Sequence, residues 1–310
     1  MDSDNSERPA IPRYCIVLGQ ETELLEIHAD RPIMNVLFIP GNPGVVYFYK
    51  EFVEALFKLL EGKASIIAIG HIGQTKENGE PGRLFSLQEQ IDHKVHFIEQ
   101  ELQTIEIPLI LVGHSTGSYI ALQMLRRSPE KYAYCIGLYP FLALNPQSKK
   151  QTIFATIARN EVLSIIISSY FASLGWFPRG ILRFIAKCYL GRSSSNTALE
   201  AACSYLTQYH TMRNVLFMAR TIFREVAKPL DWEFMRANQN KIAFLFGIDD
   251  QWGPLELFME ICQQVQGSSI SIDGEGHRHA FSCSEAGSLC VAGHVANFIK
   301  NNPAIAFEPV

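Results

Sequence analysis

The chain has 310 residues, 47% of them hydrophobic and 19% charged, with a formal net charge of −4. That length suits one large α/β domain or two small ones. The balance excludes a disordered, collagen-like or disulfide-stapled chain and argues against nucleic acid as the main partner. The seven cysteines (Cys15, Cys135, Cys188, Cys203, Cys262, Cys283 and Cys290) are odd in number and form no Cys-x-x-Cys pair. This favours a reduced, cytosolic setting and argues against a zinc or iron–sulfur site.

The polar, acidic start is not a secretory signal, and residues 1–12 are expected to form a frayed tail. Apolar runs rich in β-branched residues then predict strands at Tyr14–Val17, Glu23–His28, Met34–Ile39, Ser65–Ile69, Leu109–Val112, Cys135–Tyr139, Lys241–Phe246 and Ser269–Ile272. The later ones lack strict alternation, as expected of strands covered on both faces. Helical patterns fall between them, at Phe48–Leu60, from a capping box at Ser86-Leu87-Gln88-Glu89 to about Gln103, and at Tyr119–Arg127. Two opening strands followed by strand–helix alternation predict a mostly parallel, doubly wound eight-stranded sheet. Residues 141–236 break the rhythm with helices alone. The expected division is therefore a core of 13–140 and 237–310, with a helical cap over 141–236 inserted after the sixth strand.

Gly113-His114-Ser115-Thr116-Gly117 stands where the fifth strand meets a helix. Two glycines there permit a sharp turn that lifts Ser115 Oγ above the sheet edge. The helix N-terminus behind it presents unpaired N–H groups to a developing oxyanion. A serine hydroxyl needs a base and an orienting acid, which in this motif follow in the order Ser, acid, His. The strand at Lys241–Phe246 runs into Asp249 and Asp250. Asp250 is preferred because it stands further from the strand end, ahead of Trp252 and Pro254, while Asp249 suits a local turn. The next strand leads to His277 and His279, and spacing alone does not choose between them. A second oxyanion donor, besides the N–H of Thr116, is expected from the loop Pro40-Gly41-Asn42-Pro43-Gly44. Pro43 has no N–H, so Asn42 is the leading donor, with Gly41 or Gly44 as fallbacks. His71 could line the mouth or merely turn the chain. His93 and His96 suit a solvated or half-buried helix face. No metal or organic cofactor is called for.

With these stretches in view, the chain resembles an α/β-hydrolase and, within that fold, the lipid droplet-associated hydrolase family. The carrying residues are Asn35 through Gly44, Ser86 through Lys94, Leu111 through Gly117, Gly247 through Trp252 and His279-Ala280-Phe281. The resemblance spans nearly the whole chain beyond the tail. It implies Ser115 as nucleophile, Asp250 as acid and His279 as base, because the family's histidine is followed by a small residue and Phe. It further implies a place on the lipid droplet surface, with an endoplasmic reticulum or cytosolic pool and no secretion. The implied activity is esterase action on neutral lipids such as sterol esters.

The inserted segment carries a physical signal of its own. From Lys149 to Lys228 there are 11 basic and 3 acidic side chains, a surplus of 8 positive charges on a chain of net charge −4. Val162–Phe177 is a 16-residue apolar run, short of the roughly 20 needed to span a bilayer. Arg179, Arg183 and Lys187 form a basic stripe beside Ile181, Leu182, Phe184 and Ile185. Arg213, Arg220, Arg224 and Lys228 form another beside Val215, Leu216 and Phe217. Such stripes predict helices lying in an interface, with residues 153–190 meeting a lipid droplet monolayer or membrane surface as both lid and anchor.

Overall fold

A computed structural model describes residues 8–77, 80, 82–102 and 107–305. Strands β1 (Ile11–Val17) and β2 (Gln20–Ile27) form a hairpin whose turn, Leu18-Gly19, has φ of 52° and 75°. Left-handed backbone at both positions matches the twist of the flanking strands. The chain continues through β3 (Met34–Ile39), a 3₁₀ turn (Val46–Tyr49), α1 (Lys50–Leu59), β4 (Ala64–Ile69), α2 (Leu87–Glu101), β5 (Leu109–His114), α3 (Thr116–Arg127) and β6 (Tyr134–Leu138). Six helices follow: α4 (Lys149–Arg159), α5 (Glu161–Leu174), α6 (Arg179–Leu190), α7 (Asn196–Tyr205), α8 (Tyr209–Glu225) and α9 (Trp232–Ala237). The chain then completes β7 (Ile242–Gly247), α10 (Leu255–Gln264), β8 (Ser269–Asp273) and α11 (Glu285–Lys300).

The eight strands make one sheet in the order β1-β2-β4-β3-β5-β6-β7-β8. Strand β2 runs antiparallel to β1 and β4, and the remaining pairs are parallel. This is the mostly parallel, doubly wound arrangement expected. Alternate residues of each central strand feed two cores. Val36, Phe38, Ile66 and Val112 pack towards α1 and α11, while Leu37, Ile39, Ile67 and Leu111 pack towards α2, α3 and α10. Both faces are therefore apolar, which is why these strands read as continuous runs.

Several expectations need correction. The ordered chain does not begin at residue 13. Strand β1 starts at Ile11, Arg8 bonds His28 O and Asp30, and Ala10 N–H donates to Glu54. Ile11 and Ile16 point to solvent, so the edge strand left no burial pattern to read. The remainder of the expected tail, residues 1–7, and the expected helix end at Gln103 lie outside the described residues. His93 is not on a solvated face. It is fully buried and shares a 2.7 Å hydrogen bond with Thr22 Oγ1, beside the equally buried Lys94, whose Nζ donates to Gly70 O at 2.8 Å.

The cap also departs from its pattern. Helix α8 buries Val215, Leu216, Met218, Ile222 and Phe223 against the core, so its basic stripe does not border an exposed apolar face. Arg213 is ion-paired with Glu161, and Lys228 with Glu225. On α6, Arg179 and Arg183 both turn to Glu200 of α7. Helix α5 is inverted relative to an ordinary cap helix. It buries Ser164 and Ser168, whose hydroxyls bond backbone carbonyls, and leaves Val162, Ile165, Ile166 and Tyr170 exposed. Among the described residues no single helix is long and apolar enough to cross a membrane. Helices α4 and α5 reach that length only together, and they bend by 101° at their junction.

Burial holds the imidazoles of His71, His93 and His114 well below their ordinary range, so all three stay neutral in the fold. Below pH about 6.5 the unfolded chain takes up protons that the folded chain refuses, so stability must fall as pH falls. Each histidine adds at most about 1.4 kcal/mol per pH unit to that slope. Urea unfolding at pH 7.5, 6.5 and 5.5 should show the decline, and His93→Gln should make it shallower. A flat profile would contradict the buried-histidine picture.

Candidate active site

The site begins with a steric constraint at the C-terminal end of β5. A Cβ on Gly113 would overlap the backbone of Gly117, and a Cβ on Gly117 would overlap the carbonyl of Ile39. Only glycine lets the first turn of α3 lie this close to the end of β3. Between them Ser115 adopts φ 53° and ψ −117°, a strained conformation for a side-chain-bearing residue. It is held there by Ser115 N–H to Leu138 O at 2.9 Å and by Phe141 N–H to Ser115 O at 3.3 Å.

Residues from two other strand ends meet this turn. Ser115 Oγ lies 2.8 Å from His279 Nε2, and His279 Nδ1 lies 2.8 Å from Asp250 Oδ2. With Nδ1 donating to the carboxylate, Nε2 is left as the acceptor for the serine hydroxyl. The Asp250 side chain is only 1% exposed, and its other oxygen accepts Trp252 N–H at 2.9 Å. Asp249 is exposed. His279 sits on the loop after β8. The buried Phe281 two residues on anchors that loop, stacking on Tyr139 at 5.6 Å and packing edge-on against Tyr49, Phe52 and His114.

His277 stands apart from this trio. Its Nδ1 and its backbone N–H both contact Asp273 Oδ2, at 3.0 and 3.2 Å, and Tyr139 O–H donates to the same oxygen at 2.6 Å. Asp273 also lies near Cys290, so Asp273, His277 and Cys290 gather at the foot of the His279 loop. The i, i+4 spacing of Asp273 and His277 was the sequence signal for this pair.

The loop Pro40–Gly44 lies against the serine, since a Cβ on Gly41 would stand 3.2 Å from Ser115 Cβ. Its N–H groups are mostly engaged. Gly41 N–H donates to Tyr49 Oη at 3.0 Å, and Gly44 N–H donates to Gln74 Oε1 at 2.6 Å. The two fallback donors are thus occupied. The N–H groups of Asn42 and of Thr116 at the start of α3 have no acceptor among the described residues. The Asn42 side chain ties the loop to the cap, donating to Val215 O at 2.9 Å and accepting from Gln74 at 3.2 Å. His71 does not line a mouth. It is buried behind this loop, filling the space a side chain at Gly44 would need. Gln74 and Tyr49 left no mark in the sequence pattern, because neither belongs to a spaced motif.

Side chains of α4 and α8 reach the edge of the trio through Trp252. Trp252 lies 5.9 Å from the His279 ring and is enclosed by Phe141, Phe154 of α4 and Phe223 of α8. Ser115 is 8% exposed. A hydroxyl, an imidazole with a free acceptor nitrogen, a carboxylate and a helix N-terminus together are the equipment for acyl transfer through a covalent intermediate.

Residues 32–282 match the family model described as lipid-droplet associated hydrolase. Curated relatives named lipid droplet-associated hydrolase include one from Dictyostelium discoideum, 28% identical over 84% of this chain and 86% of its own. The Homo sapiens relative of that name is 26% identical over 91% of this chain and 93% of its own. Among solved structures, a haloalkane dehalogenase from Bradyrhizobium elkani superposes with a TM-score of 0.68 at 17% identity, covering 93% of this chain and 98% of that one. A thioesterase domain from the curacin biosynthetic pathway gives 0.65 at 14% identity, covering 94% and 100%. At such identities the structural likeness concerns the α/β-hydrolase fold alone. With the family model spanning most of its length, the chain belongs to the lipid droplet-associated hydrolase family.

Proposed function

We propose that this chain is a serine carboxylic ester hydrolase acting at the surface of lipid droplets on neutral-lipid esters such as sterol esters. The observation that carries the reading is the unbroken line from Ser115 Oγ through His279 to Asp250, with both contacts at 2.8 Å. His279 takes the Ser115 proton as Oγ attacks the ester carbonyl, and Asp250 stabilises the imidazolium that forms. The N–H groups of Asn42 and Thr116 receive the oxyanion, assisted by the N-terminus of α3. His279 then hands its proton to the departing alcohol. Water, activated by the same imidazole, hydrolyses the acyl-enzyme.

The exposed faces of α4–α6 support contact with a monolayer, at residues 153–190. Ile153, Val162, Ile166, Tyr170 and Phe184 are each more than half exposed, and Trp176 is 89% exposed, on the element junction between α5 and α6. Helices that show apolar and aromatic side chains outward, and that are too short to span, enter one leaflet. Lys149, Lys150 and Arg159 of α4 are also exposed. On an anionic surface each can add about 1 kcal/mol. A second reading, a droplet-coating protein with little turnover, is favoured by the near-complete burial of Ser115 under the cap.

A fluorophosphonate probe separates the two. The wild-type chain should be labelled and Ser115→Ala should not. An unlabelled wild-type serine in the presence of lipid would favour the coat reading. Ser115→Ala should cost on the order of 10⁶-fold in kcat and Asp250→Asn about 10⁴-fold. His277→Ala and Asp249→Asn should stay within about tenfold of wild type, as expected of groups outside the proton path. The lipid contact is tested by Ile165→Glu combined with Ile166→Glu. Fluorescence imaging should show the variant leaving droplets while its melting temperature holds, and unchanged coating would sink the anchor.

A further inference from the structure

His114, the second residue of the Gly113–Gly117 motif, plays no part in the proton path just described, yet it is buried and fully hydrogen-bonded. Its Nδ1 lies 2.7 Å from Tyr49 Oη, and its Nε2 lies 2.9 Å from the backbone carbonyl of His279. A carbonyl only accepts, so Nε2 carries the proton and Nδ1 accepts from the tyrosine. Tyr49 Oη in turn accepts Gly41 N–H at 3.0 Å. Burial holds His114 neutral, so Nε2–H to the carbonyl and tyrosine O–H to Nδ1 is the pattern these contacts take. Ring packing fixes the same geometry. His114 is 5.0 Å from both the His279 and Phe281 rings, and Tyr49 is edge-on to it at 5.7 Å.

We infer that Tyr49 and His114 are positioning residues that clamp the Asn42-bearing loop to the main chain of His279. The inference rests on the Ser115 reading given above. The two loops leave strands β3 and β8, which the sheet order separates by β5, β6 and β7, so no ladder bond joins them. The Gly41–Tyr49–His114–His279 line spans that gap through side chains. Placement within about 0.5 Å is what an oxyanion donor and a general base need of each other. A neutral His114 also spares the neighbouring imidazolium a like charge as His279 takes the serine proton.

Tyr49→Phe keeps the ring and removes the hydroxyl, and should lower kcat about tenfold with KM unchanged, on p-nitrophenyl butyrate. His114→Gln retains a donor towards the His279 carbonyl and should keep more kcat than His114→Phe. A Tyr49→Phe variant with wild-type kcat would overturn the clamp. Nitrogen-15 NMR of the imidazoles reads the arrangement independently of turnover. His114 should show an Nε2–H tautomer, and its Nδ1 signal should shift in Tyr49→Phe. An Nδ1–H tautomer, or no shift, would overturn the inference even if the wild type were active. A wild type without Ser115-dependent hydrolysis would instead defeat the proposed function, leaving the NMR result to decide the clamp.

Discussion

The close approach of α3 to the end of β3 is the constraint on which the site depends. No side chain fits at Gly113 or Gly117, and Ser115 between them is bent into a conformation that its own side chain disfavours. A strained residue persists only where its surroundings over-determine it. Here the surroundings are a hydrogen bond from Ser115 to β6, another from Phe141 back to Ser115, and the Ser118 hydroxyl on Gly113 O at 2.8 Å. The serine therefore stands clear of the sheet at a fixed height. The loops after β7 and β8 need only bring a carboxylate and an imidazole to that height.

The helices between β6 and β7 leave apolar side chains of α5 and α6 exposed. Their cationic side chains do internal work. Arg213 meets Glu161, and Arg179 and Arg183 share Glu200, so charge links α5 to α8 and α6 to α7. Exposed pairs of this kind contribute little stability each, about 0–1 kcal/mol. Their geometry nonetheless leaves the apolar sides of α5 and α6 pointing away from the core. The buried serines of α5 suit that orientation, since small residues with self-satisfied hydroxyls let the helix lie close to α8 without offering it apolar bulk.

Much of the fold was legible because its central strands are covered on both faces and so spell unbroken apolar runs. Strand β1 was misjudged at its start because Ile11 and Ile16 face solvent. The Ser, acid, His order pointed to Ser115 and to the Asp249-Asp250 pair, and distance from the strand end favoured Asp250, but the choice of His279 over His277 needed the family resemblance. Asp273 stands only four residues before His277, whereas Asp250 is 29 residues from His279, so the local spacing marks His277 as paired elsewhere but does not by itself identify the base. The basic stripes misled for a related reason. Periodicity shows that a helix has two faces and does not say which turns inward, and Glu200 and Glu161 lie too far along the chain to be read as their partners. Tyr49 and Gln74 were invisible, since they act through partners 65 and 32 residues away.

Asn42 carries two duties at one position. Its main chain is the donor proposed for the oxyanion, while its amide side chain stitches the loop to Val215 of α8 and to Gln74. Asp has no N–H to give the Val215 carbonyl, and Ser is too short to reach it. Substitution there would loosen the tie between the loop and α8 as well as disturb the main chain it holds. A residue can be irreplaceable to an enzyme for what its two ends join.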